Sequence, residues 1–94
     1  MDAKTLRSFI DSAKNQIKSG VVVAGSTTNR KVLLAAGVTK DLEKRFHAGD
    51  ILKEIASIVG GSGGGRADMA QAGGTEIEKL GEAMERAKEI IRNS

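Results

Sequence analysis

Ninety-four residues leave room for one small domain, residues 1–94, that buries roughly half or more of its unfolded surface, and they exclude a two-domain arrangement. The apolar residues are aliphatic except for two Phe, with no Trp, Tyr or Cys, which excludes a core built on large aromatic anchors, a disulfide framework and a thiolate metal site. The net charge of +3 is too small an excess to announce a nucleic-acid binder by itself. The missing cysteines and the absence of an apolar signal-like start fit a reducing cytoplasm. No run approaches the roughly 20 apolar residues of a membrane helix, so a soluble domain is expected.

From the N-terminus, Leu6, Phe9, Ile10, Ala13 and Ile17 follow the spacing of one helical stripe, and Gly20 supplies a stop. "VVVAGS" then reads as a buried strand, a polar turn follows at Thr27 to Arg30, and "KVLLAAGV" reads as the hairpin partner. A short helical turn is expected over Lys40 to Phe46. The next helix begins near Ala48-Gly49-Asp50 and puts Ile51 or Leu52, Ile55, Ile58 and Val59 on the core side, with Asp50 at the positive end of its dipole. Phe46 reads as a core residue and His47 as a cap. "DMAQAG" is expected to be a third, small-residue strand. Thr75 and Glu78 have capping-box spacing before a final helix whose stripe is Ile77, Leu80, Met84, Ala87 and Ile91. The order predicts an α/β domain in which a small mixed β-sheet, a hairpin plus a third strand, packs against three to four helices.

Positive charge is densest in the first two-thirds of the chain, with six Lys/Arg against four Asp/Glu over residues 21–59 and four against five over residues 75–94. Arg30, Lys31, Lys40, Lys44 and Arg45 form its core. That distribution is compatible with a phosphate-facing surface and equally with ordinary solvated faces.

The feature that calls for explanation is "GGSGGGRADMAQAGG", residues 60–74, with seven glycines in fifteen residues. The segments on either side have apolar stripes that neither can bury alone, so the stretch lies inside one domain and is not a linker between two. Gly60-Gly61-Ser62-Gly63-Gly64 spells a nucleophile-elbow pattern, but it follows a helix and precedes a strand, the reverse of what an elbow requires. A phosphate loop needs Lys and then Ser/Thr after the last glycine, and here Gly65 is followed by Arg66-Ala67. No His, Cys, Asp and Glu cluster has metal spacing. Catalysis by this segment is therefore not expected. Two readings stand: consecutive glycine amides forming an anion-binding nest, with Arg66 adding a bidentate phosphate contact, or glycines that only permit a tight helix-to-strand crossing.

The same run resembles the signature of the C-terminal domain of alanyl-tRNA synthetases, the DHH-associated domain called C-Ala. "SGVVVAGS", "VLLAAGVTKDL" and "AGDILKEIASIVGG" resemble the segments that precede it there, and the resemblance covers essentially the whole chain. Two positions depart from the pattern: Ser62 stands where a basic residue is common, and Ala67 where proline is common.

The resemblance implies a C-terminal fragment of a longer chain, an alanine–tRNA ligase that uses ATP, Mg and Zn in upstream domains, with no cofactor in this one. It implies tRNA(Ala) and the other synthetase domains as partners, contact with the outer corner of tRNA, and a helical dimerisation arm that is largely missing here. The residues it points to for RNA are Gly61, Ser62, Gly63, Gly64, Gly65, Arg66 and Gln71, with Lys40, Lys44 and Arg45 supplying the surrounding field. Two other functions stay open: the oligonucleotide-binding domain of a DHH-type phosphoesterase, and a protein–protein interaction module within the synthetase.

Overall fold

The computed structural model describes residues 2–92. Helix α1 (Ala3–Gln16) leads into the hairpin β1 (Val21–Thr28) and β2 (Lys31–Val38), then α2 (Ala48–Ile58), β3 (Ser62–Gly65), β4 (Met69–Gly74) and α3 (Leu80–Arg92). The first hairpin closes through Asn29 and Arg30, at φ 51° and 63°. Left-handed backbone at both central residues is what a two-residue turn needs to match the strand twist.

The α/β layering agrees with the sequence reading, and the sheet differs from it in two ways. It holds four strands in the order β1-β2-β4-β3, and every neighbouring pair is antiparallel rather than mixed. The extra strand is the glycine run itself, which strand propensity cannot flag because glycine weakens strands and has no side chain to alternate. The crossover through α2 does bring β3 back in the direction of β2, as a helix-linked strand should run. Strand β4 then folds into the gap between them, so no parallel pair forms.

Strand β2 is buried on both faces, which explains its continuous apolar run. Val32, Leu34, Ala36 and Val38 join Leu52, Ile55, Ala56, Val59, Ala83 and Ala87 in the core beneath α2 and α3. Ala35 turns the other way and packs with Leu6, Ile10 and Met69 beneath α1. Phe46 is in the larger core, and the His47 side chain caps α2 by accepting from the Asp50 N–H, both as expected. Two details are corrected. Phe9 is 50% and Ile17 37% exposed, so the buried stripe of α1 is narrower than its spacing suggests. The Thr75–Glu78 capping box does not form, because the Thr75 and Glu76 N–H groups both donate to the Val59 carbonyl, and a tight turn at Ile77–Lys79 starts the last helix instead.

A polar clasp ties the end of α1 to the end of β2. The Ser19 and Thr39 hydroxyls donate to opposite oxygens of Asp41, each at 2.6 Å, and the Gly20 N–H donates to the Thr39 hydroxyl. The Ser19 hydrogen bond, then the Thr39 one, holds the Asp41 carboxyl below its ordinary value. A carboxyl depressed in the fold contributes stability above its unfolded pKa and loses it as pH falls through the folded value, here from roughly pH 4 downward. Carboxyl NMR titration should therefore show the Asp41 midpoint rising toward the ordinary Asp value in Ser19→Ala; an unmoved midpoint would contradict the clasp.

Candidate functional site

Strand β3 is an edge strand whose only side chain belongs to Ser62. The Arg66 N–H donates to the Met69 carbonyl at 3.0 Å. In an antiparallel ladder bonded pairs alternate, so the Gly64/Gln71 and Ser62/Gly73 pairs carry the remaining bonds, and the N–H and C=O of Gly63 and Gly65 point away from β4. Gly63 and Gly65 are required by crowding. A side chain at Gly63 would overlap Ala72, and one at Gly65, already at φ +157°, would come within 2.9 Å of Ala70 and the Met69 carbonyl. This extended strand replaces the concave nest of consecutive amides, because adjacent amides in a strand face opposite edges.

The first turn of α2 presses on this strand from one side. A helix start normally leaves free N–H groups that attract anions, but here each is occupied. Ala48 donates to the Ala67 carbonyl, Gly49 to the Arg66 carbonyl, Asp50 to His47 Nδ1 and Ile51 to the His47 carbonyl, all at 3.0–3.1 Å. The consequence falls on Arg66, whose N–H and C=O are both held while its side chain remains 71% exposed. Its guanidinium lies 3.3 Å from the Asp68 carboxylate. An exposed pair of that kind contributes little, about 0–1 kcal/mol, and exchanges readily for a phosphate. The Ala67 N–H makes no backbone hydrogen bond among the described residues, so the ladder does not depend on whether alanine or proline stands there.

On the face of the sheet opposite α2, helix α1 covers β1 and β2 and stops short of β3. The uncovered strip is a shallow recess of about 260 Å³ with Gly64 and Gly65 as its floor, Arg66 and Gln71 at its sides and Met69 beneath. Arg7 of α1 closes it from across the strip. Two tethers fix α1 there: Gln71 Nε2 donates to the Ala3 carbonyl at 2.9 Å, and Lys14 Nζ donates to the Asp68 carbonyl at 2.9 Å. The recess thus joins two guanidiniums, a neutral amide and side-chain-free backbone, with no nucleophile and base in contact. Among the described residues no three His, Cys, Asp or Glu are grouped to hold a metal. Such a site can bind a flat, anionic group.

The expected residues are partly assembled here. Gly64, Gly65, Arg66 and Gln71 line the recess, and Gly63 lies in the same strand on the α2 side. Gly61 and Ser62 line a neighbouring recess with Lys31 and Thr75. Lys40 lines another with Lys14 and Lys18, and Lys44 and Arg45 line a fourth with His47, Asp50 and Glu54, where the Arg45 guanidinium sits 5.4 Å from the Phe46 ring. Arg7 and Lys14 were not singled out in the sequence. The signal for them was there: Ala3, Arg7, Ile10 and Lys14 fall on one side of α1 at spacings of four, three and four, so the side that reaches the sheet also carries two cations.

A family model described as the DHHA1 domain matches residues 1–93. The chain is 57% identical over 93 residues to the alanine–tRNA ligase of Natranaerobius thermophilus, which covers 98% of this chain and 11% of that protein. It is 53% identical over 83 residues to the corresponding ligase of Idiomarina loihiensis, covering 88% of this chain and 10% of that one. The chain therefore spans about a tenth of the length of the curated relatives it matches. Among solved structures, the C-Ala domain from Aquifex aeolicus alanyl-tRNA synthetase superposes with a TM-score of 0.91 at 33% identity, covering 97% of this chain and 82% of that one.

Proposed function

The chain belongs to the DHHA1 domain family, and from that membership we propose that it works in the cytoplasm as the tRNA-binding C-terminal domain of an alanine–tRNA ligase. It binds without chemistry, contacting the outer corner of tRNA(Ala) so that the aminoacylation and editing domains act on the same molecule. The ATP, magnesium and zinc chemistry of the parent belongs to those other domains.

The observation that carries this reading is the pair of guanidiniums, Arg7 and Arg66, set on either side of a floor without side chains. Phosphate oxygens take bidentate arginine contacts, and bare backbone lets a sugar or base pair lie close. The lack of Trp and Tyr argues against stacking of single-stranded bases and for recognition of shape and backbone. Lys14, Lys18 and Lys40 extend the positive surface beyond the recess.

Titration of tRNA(Ala) across a salt series tests the proposal. With about three to five phosphates contacted, log K falls linearly with log salt at about 0.9 per contact for duplex geometry. Arg66→Ala weakens binding about tenfold or more, the scale of a hydrogen bond to a charged group, and lowers the salt slope by about one. Its melting temperature stays unchanged, because only an exposed side chain is removed. Binding that ignores salt, or that survives this substitution, refutes the assignment. The half-exposed Phe9 on α1 favours a second reading, docking against other synthetase domains. That reading predicts amide shifts at Phe9, and none in the glycine strand, when those domains are added.

A further inference from the structure

Every polar side chain of the recess is a donor except one. Arg7 and Arg66 carry only N–H groups. Gln71 is the exception, and its orientation is fixed. Its Nε2 donates to the Ala3 carbonyl, an acceptor that the side-chain oxygen could only repel, so Oε1 is the end of the amide without a hydrogen-bond partner among the described residues. The residue before it in the ladder, Ala70, is buried, and the Gly64 it pairs with has no side chain to obstruct approach.

A ligand that satisfies this recess must offer an anion to two guanidiniums and a hydrogen-bond donor to Oε1 at the same time. A bare phosphodiester offers only acceptors. A deoxyribose backbone adds no donor. A ribose carries a 2′-hydroxyl beside its phosphodiester, able to donate to Oε1 while the phosphate accepts from arginine. We infer that Gln71 is the residue by which this domain distinguishes RNA from DNA, its Oε1 accepting from a ribose 2′-hydroxyl whose neighbouring phosphate is held by Arg7 and Arg66. This rests on the reading of the domain as an RNA binder and adds to it the group that is read. Arg7 and Arg66 then set affinity, and Gln71 sets sugar selectivity.

The test separates the hydroxyl from the shape of the helix. DNA differs from RNA in both, whereas a fully 2′-fluoro transcript keeps A-form geometry and lacks the donor. The 94-residue domain is titrated by fluorescence anisotropy with a labelled tRNA(Ala) transcript made from ordinary or from 2′-fluoro nucleotides, at one salt concentration and then across a series. The unchanged protein should prefer the ordinary transcript by roughly 3- to 10-fold, the worth of one net hydrogen bond. Gln71→Leu should bind both transcripts equally, and no tighter than the unchanged protein binds the fluoro form, since it also gives up the tether to the Ala3 carbonyl. Arg7→Ala should weaken both by the same factor and leave the preference intact. Salt-sensitive binding by the unchanged protein without a preference overturns the role of Gln71 and leaves RNA binding standing; that comparison needs no variant to fold. A preference that persists in Gln71→Leu overturns it as well. Absence of salt-sensitive binding to either transcript overturns both readings together.

Discussion

Gly49→Ala lowers the melting temperature by roughly 5–15 °C, whereas Gly81→Ala, the same substitution in another helix, raises it by a few degrees. Intrinsic propensity favours alanine over glycine inside a helix by about 0.5–1 kcal/mol. Gly81 in α3 has nothing within 4 Å of where a Cβ would sit, so there the propensity term acts alone. At Gly49 the added Cβ overlaps the Gly65 carbonyl oxygen and lies 2.9 Å from the Gly65 nitrogen. The obstruction is backbone, and that backbone cannot yield easily, because the next residue is bonded to Met69 on one side and to Gly49 itself on the other. Overpacking of this kind costs about 1–3 kcal/mol. That outweighs the propensity gain, and the sign reverses. Thermal circular dichroism of the two variants decides it. A stabilising Gly49→Ala would mean that α2 and β3 do not touch as closely as described.

That contact also explains how far the fold could be read from the chain. Segments whose side chains carry a period were legible: the Leu6–Ile10 stripe, the continuous run of β2, and the His47 cap all fall where spacing puts them. Strand β3 was not, since Ser62-Gly63-Gly64-Gly65 has no period to read, and its existence depends on a ladder with β4 and on a helix passing close above it. The same absence hid half of the recess. Arg66 announces itself inside the motif, but Arg7 lies 59 positions earlier, and only the packing of α1 on the sheet, with its tethers to Gln71 and Asp68, brings it across. Lys44 and Arg45 lie elsewhere. They are dense in sequence, and the fold directs them to a recess they share with Asp50 and Glu54.

Ile55→Ala should cost about 2–5 kcal/mol, the range for deleting a buried branched side chain that leaves a cavity. A domain of this length has roughly 5–14 kcal/mol in total, so this is a large fraction of it. Ile55 is fully buried in a core of Val, Leu, Ile and Ala with Phe46 as its one aromatic ring. Urea unfolding should show the midpoint falling with the slope unchanged; a loss below about 1 kcal/mol would contradict the packing. The effect on the recess follows from how β3 is held. It contributes no side chain to any core, so its attachment is the ladder to β4 plus the contact with α2, the helix that carries Ile55. Hydrogen exchange at the Gly64 and Arg66 amides, which face β4, should therefore accelerate with the loss of global stability. At a temperature where the variant remains folded, its affinity for tRNA(Ala) should equal that of the unchanged protein, since no recess residue has altered. Arg66→Ala should behave in the opposite manner, with stability kept and affinity lost. If Ile55→Ala weakened binding while fully folded, the recess would depend on the core beneath it through more than the position of one glycine strand.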